Sequence, residues 1–371
     1  MVKIILDFRQ QGAWAKEESK VAKLYAHKRT IISYLMGLFA LLSGLMSVTM
    51  TAHAQETKMV NHASVIMYHR FNESRYPSTN TTLEQLDEHI AYLQEGGFNV
   101  MALPDIIYRF QSGQLVPDKT VAITIDDAYL SVFEHGWPRF EKAGFPFTLF
   151  IATDPIDRNL RGYMNWDQIR ELQANGITIG SQTKSHPHMH RISIEAVTEE
   201  LSYSNNRFLE ELGLRPELFA YPYGEYSLAV VEEVKKAGFI AAFGQNSGIM
   251  HSDDLTFELP RFAFNETYGD LKRLKLAANG LPLVVTDITP QDMVIKNNPP
   301  YYGFTLSPEM EPKKQLRCFS SKYGKLEVSL IGPRAEVRLP GPLDGPRFRI
   351  NCTMPGDNGR WRWFGRQFLT R

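Results

Sequence analysis

Cysteine is nearly absent: Cys318 and Cys352 are the two in 371 residues. That excludes a disulfide-dense scaffold and a Cys-rich zinc module, so any metal must sit on His, carboxylate or amide groups. Net charge is absent too, with 41 Lys and Arg against 41 Asp and Glu, which removes the broad positive field of a general nucleic-acid binder. Disorder is excluded as the main theme, because 43% hydrophobic and 22% charged residues are ordinary for a globular protein. A chain of this length suggests roughly two or three domains.

Charge of either sign is also missing from Thr30 until Glu56, after a segment carrying Lys3, Arg9, Lys16, Lys20, Lys23, Lys28 and Arg29. The apolar stretch 31–48 and the small-x-small Ala52-His53-Ala54 make residues 1–54 an export signal cleaved after Ala54. The alternative is a retained signal anchor, since a run of roughly 18 apolar residues is long for a signal and just enough to span a bilayer. The basic segment stays cytoplasmic in both cases. Export expects the remainder in the periplasm, or facing it from the inner membrane. There Cys318 and Cys352 either form one disulfide or remain two structural thiols.

From residue 63 to about 280 short apolar runs alternate with helical patterns. Strands are predicted at 64–68, 121–125, 147–151, 177–180, 218–221 and 241–243, and helices at 130–143, 166–175, 194–212 and 228–237. A further helix has Thr81 as N-cap with Glu84 at the capping-box position, then Leu83, Leu86, Ile90 and Leu93 on one face. Repeated strand then helix implies a parallel sheet wrapped by helices, as a barrel or an open sheet, with the barrel preferred. Beyond about Pro290 helical periodicity disappears, prolines become frequent, and alternating runs at 326–331, 335–339 and 348–352 predict a small basic β domain over 290–371.

In parallel folds the polar groups at the C-terminal ends of strands build the active site. Three clusters lie there. The run 121–125 ends in Asp126-Asp127, adjacent carboxylates that can share one site only where the chain leaves the strand; an N-cap role would explain one Asp and not both. Gly180 to His190 carries His186, His188 and His190 at alternate positions, a density that suits a bound cation. The plain reading of His188 and His190 is that they face solvent. Third, Tyr221-Pro222-Tyr223-Gly224-Glu225 follows another strand, where a tight turn can aim a backbone N–H outward for an oxyanion.

In this order, each at a strand end, the three clusters resemble the polysaccharide deacetylases of the NodB-homology type, carbohydrate esterase family 4. The wording Phe219-Ala220-Tyr221-Pro222-Tyr223-Gly224 is similar to the branch of periplasmic poly-β-1,6-N-acetylglucosamine deacetylases. The resemblance implies a distorted (β/α) barrel over 60–285, with its motif core at 119–265. The family's Thr-Phe-Asp-Asp-Gly falls on Thr124 to Ala128, giving Asp126 as base and Asp127 as metal ligand. Its His-Thr-x-x-His falls on Gln182 to His186, so the ligands become Gln182 and His186. A register shifted to His186 and His190 keeps the spacing and stays open. A Gln carbonyl is a weaker, harder ligand than imidazole for zinc.

The motif Arg that usually precedes the third turn is missing, and Arg261 in Leu259-Pro260-Arg261-Phe262 becomes the residue that orients Asp126. The family's late general-acid His is also missing, since no His follows His251; His69, after 64–68, takes that role by resemblance. The alternative for His69 is a strand-end imidazole bonded to backbone. The implied reaction is hydrolytic N-deacetylation of an N-acetylglucosamine-containing glycan, assisted by a divalent metal, zinc first with cobalt, nickel or manganese as substitutes. Asp126 is the base, the Tyr223 N–H an oxyanion donor and His69 the acid.

The rival from another class is a carbohydrate-binding protein on a degenerate deacetylase scaffold, supported by Gln182. Trp361 and Trp363, with Arg360 and Arg362 opposite, would be its stacking platform, although core of the β domain is the plainer role for them. A glycosidase using Asp126 and Asp127 is disfavoured, because adjacent carboxylates do not hold the roughly 5–9 Å separation that chemistry needs. No nucleic-acid partner is expected, and membrane contact only through the N-terminal segment.

Overall fold

The computed structural model describes residues 58–370; the signal reading falls on 1–54 and lies outside them. Among the described residues no helix is long and apolar enough to cross a membrane.

Six parallel strands run in sequence order across one sheet: β1 (His62–Tyr68), β2 (Thr120–Asp126), β3 (Phe147–Ile151), β4 (Thr178–Ser181), β5 (Leu218–Ala220) and β6 (Ala241–Phe243). Each coincides with a predicted strand to within two residues, because a buried parallel strand is a short apolar run bounded by helical pattern. Barrel or open sheet is decided by the next segment. Leu259 bridges Phe243 in parallel, and a few residues on β7 (Phe262–Ala263) pairs in parallel with Ile66 and Met67 of β1. The run 259–263 therefore closes the sheet into a barrel.

Helices α1 (Leu83–Glu95), α2 (Leu103–Gln111), α3 (Trp137–Ala143), α4 (Thr153–Asp157), α5 (Trp166–Ala174), α6 (Ile194–Leu212), α7 (Leu228–Lys236) and α8 (Leu271–Ala278) connect and cover the strands. The capping box of α1 sits one residue later than predicted: Thr82 caps and Gln85 reciprocates, because Thr81 is already paired with Phe71 in a short strand. The predicted helix 130–143 is π-helical over Val132–Gly136 before α3 begins.

Alternation along β2 divides the core. Val121, Ile123 and Ile125 pack outward under α1 and α3, whereas Ala122 joins a second cluster with Phe150, Ala220 and Phe243. Thr124 and Asp126 therefore share the inner face with Ala122. Gly180 makes the interior possible, since a Cβ there would sit 2.4 Å from the Phe150 ring.

His89 of α1 is buried, with Nε2–H donating to the Gly269 carbonyl at 2.8 Å and Nδ1 accepting from the Tyr68 hydroxyl at 2.8 Å. Burial pushes this imidazole down to about 4. The unfolded chain protonates near 6.5 and the native state only near 4, so stability falls as pH drops through that window. Loss from this site is expected to be roughly 3 kcal/mol. His89→Gln should flatten the acid limb of a pH series of denaturation midpoints; an unaltered limb would remove His89 as its source.

The C-terminal residues form an eight-stranded sheet from β8 (Leu281–Pro282), β9 (Val285–Thr289), β10 (Tyr302–Leu306), β11 (Arg317–Ser320), β12 (Gly324–Ile331), β13 (Arg334–Arg338), β14 (Arg347–Pro355) and β15 (Trp361–Leu369), in the order β8-β15-β14-β11-β12-β13-β10-β9. It thus begins before Pro290. Cys318 and Cys352 face each other on β11 and β14 and are disulfide-bonded.

The sheet is docked on the barrel. Asn246 donates to the Gly365 carbonyl at 3.1 Å, and Gln367 to that of Gly224 at 3.0 Å. Arg360 clamps Asp118 at 2.9 and 3.0 Å, and Arg366 pairs with Glu258 at 2.9 Å. Trp363 meets Phe262 edge-on at 5.7 Å. The stacking platform is therefore corrected: Trp363 is a docking side chain, and only Trp361 is exposed.

Candidate active site

Asp126 is the last residue of β2 and fully buried. Arg261, also fully buried, grips it with two bonds, Nη1 to Oδ1 at 2.7 Å and Nη2 to Oδ2 at 2.9 Å. The same guanidinium donates to the Gly244 carbonyl at 3.0 Å and the Thr124 hydroxyl at 3.2 Å. Arg261 belongs to the segment that closes the barrel, so closure and carboxylate orientation are one structural event. A bidentate fork fixes both oxygens and leaves each a further lone pair.

At the next residue the chain departs from the strand. Asp127 has φ 78° and Ala128 φ 52°, which turns Asp127 away from the outward face that strict alternation would give it. Its Oδ1 lies 3.6 Å from Nε2 of His186. Thr183, His186 and Tyr223 also hold positive φ, at 73°, 57° and 59°. Five non-glycine residues in left-handed backbone at one barrel mouth is strain concentrated where function would use it.

His186 packs edge-on to Tyr223 at 4.5 Å. Burial holds its imidazole below the ordinary value, against the upward pull of Asp127 and Asp126. It is therefore neutral at neutral pH, the form that can ligate a cation. Tyr223 lies in a turn where Gly224 donates to the Tyr221 carbonyl at 2.8 Å and Glu225 to that of Pro222 at 3.0 Å. Gly224 is required there: its φ is +66° and a Cβ would sit 2.5 Å from the Gln245 nitrogen.

The buried polar atoms at this mouth without a hydrogen-bond partner include Oε1 of Gln182 and Nδ1 of His69. Gln182 follows β4, its N–H tied to the Ile151 carbonyl at 2.8 Å. His69 follows β1 and lies close enough for its charge to bear on His186. Its Nδ1 is not spent on the backbone. Orphaned buried acceptors are uncommon and call for a ligand, ion or proton.

His188 and His190 do not simply face solvent. Nδ1–H of His188 donates to Glu225 at 2.5 Å while its ring stacks on Tyr223 at 4.1 Å, and His190 lies 3.5 Å from the same carboxylate. Glu225 is buried, and a buried carboxylate draws the available imidazoles to it. His186 thus faces Asp127, whereas His190 faces Glu225. Glu225 was missed as a site residue, because 35 residues separate it from His190 in the sequence and only the fold brings it beneath His188 and His190.

No group of three His, Cys, Asp or Glu poised for a metal occurs among the described residues. The donor set at the mouth is Asp127, His186 and the orphaned Gln182 oxygen, one carboxylate, one neutral imidazole and one amide. That set fits a divalent cation, with weaker preference for zinc than a two-imidazole set.

Residues 114–242 match the family model described as polysaccharide deacetylase. That segment is similar to polysaccharide deacetylase domains. It is 24% identical over 238 residues to a poly-β-1,6-N-acetyl-D-glucosamine N-deacetylase of Escherichia coli K12, covering 51% of this chain and 34% of that one. It is 21% identical over 234 residues to the protein of that name from Staphylococcus aureus MRSA252, covering 56% and 80%. The chain thus spans about a third of the E. coli relative and most of the staphylococcal one. Among solved structures, the Streptococcus pyogenes deacetylase PplD in complex with acetate aligns with TM-score 0.54 at 17% identity, covering 60% of this chain and 99% of that one. IcaB from Ammonifex degensii aligns with TM-score 0.53 at 23% identity, covering 59% and 97%. These likenesses show the fold. The matched segment contains Asp126, Asp127, Gln182, His186 and Tyr223, and stops short of His69 and Arg261.

Proposed function

We propose that the chain removes the acetyl group from N-acetylglucosamine residues of a polysaccharide or oligosaccharide. The observation that carries this is Asp126, held in the closed barrel by Arg261 beside the Asp127–His186 pair. Asp127, His186 and Gln182 would hold a divalent cation, zinc or a harder substitute such as cobalt, nickel or manganese, which when bound polarises the acetyl carbonyl and activates water.

The chain's own residues do the rest. Asp126 takes the proton of the attacking water on a lone pair left free by Arg261. The Tyr223 N–H faces the developing oxyanion. His69, with a free buried Nδ1, hands a proton to the glucosamine nitrogen as the carbon–nitrogen bond breaks, leaving acetate and an amine. The same reading has the chain exported, periplasmic or anchored to the inner membrane and facing the periplasm; its support is the apolar run 31–48 after a basic leader.

Gln182 tests the metal part. Gln182→His is expected to tighten zinc binding on the order of tenfold by calorimetry, since imidazole is the better zinc ligand, and to raise acetate release from N-acetylglucosamine oligomers. Unchanged zinc affinity would take Gln182 out of the ligand set. The same residue favours the second reading, a glycan-binding protein that has lost efficient metal chemistry.

A further inference from the structure

The arginines of the C-terminal sheet that touch the barrel are of two kinds. On β15 and just before it, Arg366 and Arg360 each meet a barrel carboxylate, Glu258 and Asp118, at 2.9 Å. Those contacts are satisfied latches. On β14 the hydrogen-bond partners are neutral. Arg347 donates to the Tyr223 carbonyl at 2.9 Å, and Arg349 reaches the side-chain oxygens of Gln367 at 2.9 Å and Gln245 at 3.4 Å.

The acid within reach of Arg347 is Glu225, whose Oε1 lies 3.8 Å away while its Oε2 accepts from His188 at 2.5 Å, so one carboxylate is shared between an arginine and a histidine. Arg349 is largely withdrawn from water, and burial together with the charges of Arg347 and Arg273 depresses it to about 10. Arg273 on α8 has no carboxylate partner among the described residues: it donates to the Ala263 carbonyl at 3.3 Å, lies over the Phe264 and Tyr268 rings, and leaves Nε buried and unpaired. A partly buried guanidinium is costly to keep without an anion. Here Arg347 and Arg349 gather at the turn of Tyr223 and Gly224, Arg349 through Gln367, which donates to the Gly224 carbonyl; the Tyr223 ring touches His186 and His188, and Arg273 lies near enough for its charge to bear on Arg349.

We propose that Arg347, Arg349 and Arg273 form a subsite for an acidic group on the glycan, so that the substrate carries a carboxylate or phosphate near the acetamido sugar to be hydrolysed. This rests on the deacetylase reading of the neighbouring residues. It gives the C-terminal sheet a role in choosing substrate: β14 carries two of the cations to the barrel mouth. Guanidinium forks suit both oxyanions, through paired N–H donors.

The test uses the full chain and three oligosaccharides: a neutral N-acetylglucosamine oligomer, one alternating N-acetylhexosamine with uronic acid, and one bearing phosphate esters. Acetate release and calorimetric binding are both recorded, at low and high salt. One or both acidic oligomers are expected to bind roughly tenfold more tightly than the neutral one, the gain of one charge-assisted contact. High salt should shrink the preference, and Arg347→Gln should abolish it; Arg347 is exposed enough for the fold to survive, as a melting curve would verify. The better acidic oligomer tells carboxylate from phosphate. Equal affinity for neutral and acidic oligomers, or a preference untouched in Arg347→Gln and in Arg273→Gln, overturns the subsite. If no oligomer releases acetate while the acidic preference persists and depends on Arg347, the hydrolase reading fails and the subsite stands.

Discussion

Asp126→Asn is expected to lower kcat for acetate release by about 10²- to 10⁴-fold, the range typical of losing a positioned general base. The substitution preserves shape and one acceptor for Arg261 but leaves its buried guanidinium without a counter-charge, so kcat is read only on a variant whose melting curve shows it folded. KM should move far less than kcat, the pattern of a group that acts in the transition state. Full activity in Asp126→Asn would remove Asp126 as base.

Arg261→Ala is expected to produce the largest loss of stability. It leaves the Asp126 carboxylate buried without its partner and deletes the bonds to Gly244 and Thr124. Breaking a buried pair from one side costs about 3–5 kcal/mol. Activity should disappear with it, because an uncompensated buried carboxylate takes up a proton and ceases to be a base. The double variant Asp126→Leu with Arg261→Met separates the two effects: stability should return in large part, since apolar replacements of a buried pair are often neutral, and activity should not. A denaturation midpoint for Arg261→Ala within about 1 kcal/mol of the parent chain, on a scale where exposed pairs fall, would show that the pair does not hold the barrel mouth together.

Much of the barrel was legible because its strands are buried on both faces and read as apolar runs between helical patterns. The strand-end position of Asp126, Asp127, His186 and Tyr223 followed from that alternation. Closure was not legible, since it rests on residues 259–263, where one bridge and a two-residue strand carry no periodic signal. Arg261 could be named only through resemblance; nothing in its spacing ties it to a carboxylate 135 residues earlier. The fate of His188 and His190 was misjudged because a polar loop looks solvent-facing until a buried acid such as Glu225 is placed beneath it. Arg347 and Arg349 were invisible as site residues, because docking of a distant sheet brings them to the Tyr223 turn. For Trp361 and Trp363 the plainer, packing role suits the inner member, since Trp363 meets Phe262 of the barrel edge-on.

The central claim is that this mouth hydrolyses an N-acetyl amide and does not merely bind the sugar. The most direct measurement is acetate release from N-acetylglucosamine oligomers by the purified chain, with and without added zinc or cobalt, alongside binding of the same oligomers. Release that rises with added metal and vanishes in Asp126→Asn is the predicted result. Tight binding of the oligomers with no acetate released under any metal would contradict it and make the protein a glycan-binding one.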